Sequence, residues 1–567
     1  MPKIEIYEEP FYRALGKKYG NEELIELLTA AKAELDEHLK DEGLLKIELN
    51  DTNRPDLWSM AGLARQLNIY LGEPITGYDF FSTKEELKDY SSRVVEVDAG
   101  LKSIRPYFAA FVARGRAIDE PQLKDLIQTQ EKLCWNYGRR RSSISMGVYR
   151  ADLIDFPIKY RAVDPDATSF VPLDMEKELS LRQILTEHPK GVEYGSIVAD
   201  YSLFPFLEDS KGEVLSFPPI INSAHLGAVK VGDSEHLIEM TGTDMESLLH
   251  AASIVACDLA DEGYEILPVK VIYPFDTPYG KEIVTPYYFQ SDVTMDIDYA
   301  AKLLGEKLTV EDGVRFVLKM GSKVKVKGSA LTVTPPPYRN DFLHPVDVVE
   351  EIMIGRGMDS FKPVWPEDFT VGRLSETEIY NRRIREIMVG LGYQEMIYNY
   401  LGSRRDFMER MNLNGEDIIE IANPMTENYE IVRNSQLPNL LSSESVSANG
   451  VYPHRIFEIG KIAYKDSSEN YGSVTQNTLS FLIADGEAGF NDANSHLSAL
   501  FFYLTREYSL QEVEDPRFIN GRVGGIICNG VKLGIIGEFH PAVLDNWGIQ
   551  MPCVGAEIDI DLLMGKE

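Results

Sequence analysis

Four carboxylates lie close together in the sequence, and a set of oxygen ligands of this kind suits a divalent cation. Asp341 precedes Pro345, a residue that favours the first turn of a helix. Asp347, Glu350 and Glu351 follow at helical spacing, which would place them on one face. A bound Mg²⁺ would relieve their mutual repulsion. The alternative is a solvated acidic first turn stabilised by the helix dipole, and spacing alone favours this plainer interpretation.

A second segment is basic and aromatic. Residues 101–160 contain 11 Lys and Arg against 6 Asp and Glu, a net charge of +5. Arg139, Arg140 and Arg141 form its peak, and Trp135 is one of several aromatic residues nearby. Such a mixture can contact an RNA backbone and stack an unpaired base. A salt-bridged patch facing the acidic remainder of the chain explains the composition equally well.

The overall composition excludes several classes of protein. The chain of 567 residues has 57 Lys and Arg against 90 Asp and Glu, a formal net charge of −33. A surface this acidic excludes a protein that binds nucleic acid over its whole surface. Its four cysteines form no CxxC pair, which argues against a zinc site or a disulfide framework. Neither a signal-like apolar region nor a membrane-length apolar run is present, so we expect a cytoplasmic protein.

The elements that would position these residues fall into separate pieces. Stretches rich in Pro and Gly predict domain boundaries at Gly72–Phe80, Pro268–Tyr288 and Phe361–Arg373. The predicted domains cover residues 1–80, 90–270, 275–360 and 370–567, in line with the chain length. Helix-rich and strand-rich runs in separate pieces indicate a multidomain α+β protein rather than a doubly wound sheet.

Local patterns predict individual elements within these domains. The predicted strands and helices are Ile4–Tyr7, a helix capped by Asn21 that reaches Leu35, a helix after Asn53–Asp56 that ends at Gly72, Tyr107–Arg114, Pro121–Tyr137, Asp244–Glu262, a helix near Pro345 and Glu376–Leu391. A hairpin is predicted from Gly524–Cys528 and Val531–Ile536, because Asn529-Gly530 favours a tight turn with positive φ.

The motifs together resemble the β subunits of phenylalanyl-tRNA synthetases in their shorter archaeal/eukaryotic-type form. The matching segments occur in order along nearly the whole chain: Asn53–Leu57, Gln130–Leu133 with the arginine run, Pro218–Asn222 with Thr241–Asp244, Tyr338–Arg339 through Glu350–Glu351, Asn423–Met425, and Gly534 through Pro541. Six ordered segments are far more specific than any one of them.

The resemblance implies both a fold and a function. It implies an α/β editing domain over residues 90–270, a small magnesium-bearing domain over 275–360 and, at the C-terminus, an inactive antiparallel domain like class II synthetases. The family attaches phenylalanine to its tRNA as a tetramer of two α and two β subunits, with ATP and phenylalanine bound by the α subunit. The Mg²⁺ ligands would be Asp341, Asp347, Glu350 and Glu351.

The resemblance also implies that this chain hydrolyses tyrosine wrongly attached to that tRNA. On their place in the matched segment and their polarity, Asn222, Ser223, Glu239 and Thr241 are the predicted editing residues, and Arg139–Arg141 the predicted RNA contacts. Tyr149 stands where relatives carry another residue. Two alternatives remain open from the sequence: a purely structural or RNA-binding subunit without editing, and an unrelated magnesium-dependent hydrolase.

Overall fold

The computed structural model describes residues 2–415 and 418–565. Close contacts divide the chain into two compact units, residues 1–364 and 365–567, each with hydrophobic cores of its own. Most strand pairs are antiparallel, and the few parallel pairs sit at single strands within mixed sheets. The multidomain α+β architecture predicted from the sequence is therefore present.

The first unit opens with a small three-stranded domain. Its elements are β1 Lys3–Tyr7, α1 Glu8–Ala14, α2 Asn21–Leu28, β2 Ala33–Leu39, β3 Leu44–Leu49 and α3 Met60–Leu71. The antiparallel sheet has the order β1-β3-β2. The predicted helix from Asn21 to Leu35 is wrong after Ala31, because α2 is followed only by a 3-10 turn over Thr29–Ala31. Lys32 has a left-handed φ of 48°, and the chain then pairs with β3 as strand β2.

A ten-stranded sheet forms the centre of the first unit. Its region contains β4 Val94–Val97, β5 Tyr107–Arg114, α4 Glu120–Lys132, β6 Ile144–Arg150, β7 Ile158–Val163, β8 Ser169–Phe170, β9 Leu179–Ser180, α5 Leu181–Glu187, α6 Pro189–Tyr194, β10 Phe204–Glu208, β11 Val214–Phe217, β12 Ile221–Asn222, β13 Glu235–Gly242, α7 Met245–Asp261, β14 Glu265–Ile272 and β15 Glu282–Thr285. The sheet order is β12-β11-β10-β7-β4-β14-β5-β13-β6, with β15 on β14. Helix α7 is buried against β5 and β13, because apolar residues surround most of its circumference.

A third domain completes this unit. It consists of β16 Val293–Asp296, α8 Ile297–Leu304, α9 Val310–Leu318, β17 Lys323–Lys327, β18 Ala330–Thr334 and α10 Pro345–Arg356. Its sheet order is β16-β18-β17. The predicted start of a helix at Pro345 is confirmed, and His344 caps it by accepting the backbone N–H of Val346.

The second unit is built on a seven-stranded sheet of order β19-β23-β24-β28-β27-β26-β25. Its elements are α11 Glu376–Gly390, β19 Gln394–Glu395, β20 Leu401–Gly402, α12 Arg404–Phe407, β21 Ile419–Glu420, β22 Ile431–Val432, α13 Leu437–Ser445, β23 His454–Lys465, β24 Ser473–Ala484, α14 Phe490–Tyr503, β25 Ser509–Glu512, β26 Phe518–Cys528, β27 Val531–Phe539, α15 Pro541–Trp547, β28 Cys553–Asp559 and α16 Ile560–Met564. The predicted hairpin is confirmed as β26 and β27, with Asn529 at φ 51° and Gly530 at φ 82°.

Across the described residues, no helix combines the length and the apolar character needed to cross a membrane.

Candidate functional site

A cavity of about 540 Å³ lies beside the edge strand β6 of the large sheet. Its walls come from α4, β6 and the segment around β11 and β12, and β13 contributes Glu239. The lining is mixed, with apolar residues such as Leu126, Met146 and Val229 beside charged ones such as Arg141 and Lys190. A concave site that combines apolar walls with convergent polar groups is suited to a small ligand.

Glu239 is the polar group that gives this cavity its chemistry. Its side chain is buried, and its Oε2 atom accepts a hydrogen bond of 3.0 Å from the Tyr149 hydroxyl. Its Oε1 atom is buried without a hydrogen-bond partner among the described residues. Burial raises the pKa of Glu239 to about 7 because it disfavours the charged form. An unsatisfied buried acceptor beside a cavity favours a ligand that brings a hydrogen-bond donor.

Tyr149 orients this carboxylate. Burial raises the pKa of its phenol, which therefore keeps the proton that it donates to Glu239. The same hydroxyl lies 3.3 Å from Asn222 Oδ1, so Asn222 also belongs to the cluster. Gly147 faces Glu239 directly across the β6–β13 pair. A Cβ atom at Gly147 would collide with both the Tyr149 hydroxyl and the Glu239 carboxylate, so only glycine leaves room for the pair.

A buried arginine lies behind this polar cluster. The Nε atom of Arg105 donates to Thr241 Oγ1 at 2.8 Å, and its Nη2 atom donates to Ser145 Oγ at 3.1 Å. Ser145 lines the cavity, whereas Thr241 does not. Burial lowers the pKa of Arg105, and the negative charge of Glu239 acts in the opposite direction. The two hydroxyls are therefore held in place by a buried cation.

The structure brings together two of the four predicted editing residues. Asn222 and Glu239 line the cavity, whereas Thr241 lies one layer behind it. Ser223 is buried and accepts the backbone N–H of Leu226 at 3.2 Å, which is a turn contact.

Sequence reasoning missed four residues around this cavity: Arg105, Ser145, Gly147 and Tyr149. A usable signal was present for three of them. Ser145, Gly147 and Tyr149 alternate along β6 and so point to one face of the strand. Arg105 offered no such signal, because its partners lie on strands distant in the sequence.

The three consecutive arginines do not act as one patch. Arg139, Arg140 and Arg141 all have left-handed φ values, of 50°, 54° and 67°. Arg141 donates to the Ile220 carbonyl at 2.9 Å, and its guanidinium lies 4.2 Å from the ring centre of Tyr194. Arg139 and Arg140 remain exposed. The predicted RNA contact therefore separates into one inward and two outward side chains.

The four predicted metal ligands divide into two groups, and the first surrounds an arginine. Arg339 is buried and donates to Asp341 at 2.6 and 2.9 Å and to Glu351 at 2.7 and 2.9 Å. Burial acts to raise the pKa of Asp341, but the guanidinium groups of Arg339 and Arg54 outweigh it and lower the pKa to about 2. A guanidinium thus occupies the position between the two carboxylates.

The other two carboxylates are engaged elsewhere. Asp347 Oδ2 accepts the backbone N–H groups of Leu343 and His344, both at 2.7 Å, at the start of α10. Glu350 pairs with Lys32 of the N-terminal domain. In residues 2–415 and 418–565, no three His, Cys, Asp or Glu side chains are arranged to hold a metal ion. The four side chains as placed here do not fit a Mg²⁺ site.

The comparisons with known proteins all identify the same family. Three family models match: "Phe-tRNA synthetase beta subunit B1 domain" over residues 1–73, "tRNA synthetase B5 domain" over 293–358 and "Phenylalanyl tRNA synthetase beta chain CLM domain" over 363–560. The phenylalanine–tRNA ligase β subunit of Borrelia hermsii is 47% identical over 565 residues, and that of Treponema pallidum is 46% identical over 603. Both alignments cover 100% of each chain.

A solved structure is also similar to part of the chain. It is the crystal structure of an N-terminal fragment of the phenylalanyl-tRNA synthetase β subunit from Pyrococcus horikoshii. The fragment is 34% identical, with a TM-score of 0.59, and the match covers 63% of this chain and 100% of the fragment.

Proposed function

The chain belongs to the phenylalanyl-tRNA synthetase β-subunit family, and from this premise we propose that it works as one subunit of a complex that attaches phenylalanine to its tRNA. Identity of 47% over the full length of a phenylalanine–tRNA ligase β subunit supports this assignment. We further propose that an α subunit binds ATP and phenylalanine and performs the aminoacylation, and that two α and two β subunits assemble.

The Borrelia and Treponema relatives, which match over the full length, are bacterial. They do not support the archaeal/eukaryotic-type assignment. The archaeal likeness concerns the N-terminal fragment alone.

We propose that the cavity at Glu239 hydrolyses tyrosine wrongly attached to this tRNA. A pocket made for phenylalanine rejects tyrosine poorly, by a factor of about 10², because the two differ only by a hydroxyl. The observation that carries the proposal is the buried Glu239 Oε1 atom, which has no partner among the described residues. The phenol of tyrosine can donate to it. Phenylalanine would leave it unsatisfied, at a cost of about 1–3 kcal/mol.

Substitution of Glu239 tests the editing proposal. We expect Glu239→Gln to slow hydrolysis of tyrosyl-tRNA by the assembled α–β complex roughly tenfold or more, because the amide is a poorer acceptor for the phenol. Glu235→Gln is the matched control, since Glu235 lies on the same strand but is paired with Arg114 at the surface. Hydrolysis by Glu239→Gln and Thr241→Ala at the wild-type rate would contradict the assignment of editing to this cavity. A wild-type complex that does not hydrolyse tyrosyl-tRNA would favour the structural subunit without editing.

Assembly with a second chain tests the proposed partner. We expect native purification to recover this subunit in stoichiometric amounts with an α chain, because the proposed aminoacylation requires both. Mass measurement of the purified species provides the check. A lone 64.0 kDa chain that is active by itself would contradict the proposal and favour an unrelated hydrolase.

Magnesium at Asp341, Asp347, Glu350 and Glu351 stays a prediction from the resemblance. As placed, those side chains bind Arg339, Lys32 and backbone N–H groups, so we assign no step on this chain to a metal held by them. Metal analysis of the purified complex distinguishes a Mg²⁺ site from carboxylates that are held only by Arg339, Lys32 and backbone N–H groups. One Mg²⁺ per β chain that is lost in Glu351→Gln would establish the metal site.

A further inference from the structure

A second and larger cavity, a groove of about 1060 Å³, lies on the other side of the arginine run. We call it the tryptophan groove. Its lining shares no residue with the cavity at Glu239. The groove is lined by Pro2, Lys3, Thr52, Trp58, Lys132, Trp135, Asn136, Tyr137, Arg139, Arg140, Ser143, Thr243, Asp244 and Ser247. It is large enough for a ligand of nucleotide size, since small-ligand pockets measure roughly 300–1,000 Å³.

Cations without carboxylate partners line this groove. Among the described residues, no acidic side chain lies within ion-pair distance of Lys132, Arg139 or Arg140, whereas Lys3 is paired with Asp36 at 2.9 Å. The carboxylate that lines the groove, Asp244, accepts the backbone N–H of Ser247 at the start of α7. In a chain with a net charge of −33, three unpaired cations in one groove provide a local site for an anion.

An exposed aromatic ring lies among these cations. Trp135 is 44% exposed, and the guanidinium of Arg140 lies 4.8 Å from its ring centre. Proteins that bind unpaired nucleotides combine aromatic rings, on which bases stack, with cations that contact the backbone. Trp135 with Lys132 and Arg139 provides this combination.

The backbone conformation of the arginine run determines which side chain points inward and which two point into the groove. A left-handed conformation at a residue other than glycine costs on the order of 1–3 kcal/mol, and here three such residues are consecutive. The Arg140 N–H donates to the Trp135 carbonyl, and the Arg141 N–H donates to the Cys134 carbonyl, both at 2.8 Å. These bonds stabilise a conformation that directs Arg141 inward and leaves Arg139 and Arg140 in the groove.

We infer that the tryptophan groove binds an unpaired nucleotide segment of the tRNA, with a base stacked on Trp135 and phosphates on Lys132, Arg139 and Arg140. Arg141 takes no part in this contact and instead braces the segment around Ile220. The inference rests on the proposed function, since that function makes a tRNA the ligand. It adds to that function the place where this chain binds the tRNA and the contacts that bind it.

Affinity for tRNA as a function of salt tests the inference. The assembled α–β complex is titrated with a transcript of the tRNA for phenylalanine at several KCl concentrations. We expect Lys132→Gln combined with Arg139→Gln to lower the slope of log Kd against log salt concentration by about 1.4, because two phosphate contacts are lost. We expect Trp135→Leu to weaken binding roughly tenfold with little change in slope, because stacking is lost.

Two control variants sharpen the comparison. Lys211→Gln removes one cation from the same domain, where it is paired with Asp155 at 2.7 Å, and should leave the slope unchanged. Arg161→Gln removes a second cation of the same domain, which is paired with Glu208 at 2.7 Å, and should also leave the slope unchanged.

The outcomes separate this inference from the proposed function. Unchanged affinity and slope in the groove variants would overturn it, even if tyrosyl-tRNA hydrolysis is intact. Loss of the α chain from the groove variants, with tRNA affinity unchanged per intact complex, would identify a protein contact and also overturn it. If the wild type fails to hydrolyse tyrosyl-tRNA but the groove variants lose affinity as described, editing is refuted and the groove assignment stands.

Discussion

At Glu239 the fold keeps a carboxylate where its charge is poorly solvated, and this makes stability depend on pH. Burial raises the pKa of this side chain to about 7, above the value of about 4.5 for a solvated glutamate. The folded state therefore binds the proton more tightly than the unfolded state does. The stabilisation that proton binding at Glu239 gives the folded state is fully present below pH 4.5. It is lost as the pH rises through 7.

This linkage predicts a pH-dependent effect of Glu239→Gln. Relative to wild type, the variant should gain on the order of 2–3 kcal/mol in the free energy of unfolding between pH 5 and pH 8, because glutamine has no charge to desolvate. Denaturant unfolding at several pH values measures the difference. Glu235→Gln should follow the wild type throughout. A constant difference between Glu239→Gln and wild type would contradict a buried carboxylate.

At the scale of elements, the pairing of β6 with β13 decides what the cavity can hold. Gly147 of β6 lies opposite Glu239 of β13, and it leaves the space that the Tyr149 hydroxyl and the carboxylate occupy. A one-residue change in register would turn all these side chains to the other face of the sheet. The strand pair, and not any single residue, therefore determines the site.

Gly147→Ala tests this role of the strand pair. We expect it to lower tyrosyl-tRNA hydrolysis by at least tenfold, since its methyl group would displace Tyr149 from Glu239. Attachment of phenylalanine by the same complex should be unchanged, because we assign that reaction to the α subunit. Equal hydrolysis by the variant and the wild type would show that the Tyr149–Glu239 contact is not required.

Local sequence signals predicted several elements of the domain that holds the cavity, but of the elements that line it they predicted only the helix α4. The strand Tyr107–Arg114 was predicted with its observed ends, and the helix expected over Pro121–Tyr137 is present as α4 with a π-helical last turn. The expected helix to Leu35 failed because strand pairing with β3 outweighed the helical spacing of its leucines. Helix spacing is a local property, whereas strand pairing depends on a partner elsewhere in the chain.

At the scale of the whole molecule, the first unit has what it needs to fold alone. Residues 1–364 form one compact unit with a large buried core of their own. The similar fragment from Pyrococcus horikoshii was solved without the remainder of its chain and corresponds to 63% of this one. A compact unit with its own core can fold without the rest of its chain, and each of its domains can unfold cooperatively.

We therefore predict that a fragment of residues 1–364 folds without the remainder of the chain and unfolds with at least one cooperative thermal transition. Its near-ultraviolet circular dichroism should also show packed aromatic side chains before the transition, since Trp58 and Tyr160 are buried in its core. Calorimetry and circular dichroism of the purified fragment provide the check. A gradual loss of signal without a transition would show that this unit depends on the remainder of the chain.

The sequence by itself determined the α+β class, several individual helices and strands, the start of α10 at Pro345 and the β26–β27 hairpin. These features depend on residue spacing, caps and turns, which act over a few neighbouring residues. Family resemblance was also readable from ordered motifs, and the comparisons support it.

Only the tertiary structure decided which side chains meet. It placed Arg339 between two predicted metal ligands, joined Lys32 to Glu350, and turned Arg141 away from the other two arginines. Each contact depends on where the fold places a partner, and Lys32 and Glu350 are 318 residues apart in the sequence. Residue type shows what a side chain can bind, whereas packing decides which of those partners comes within reach.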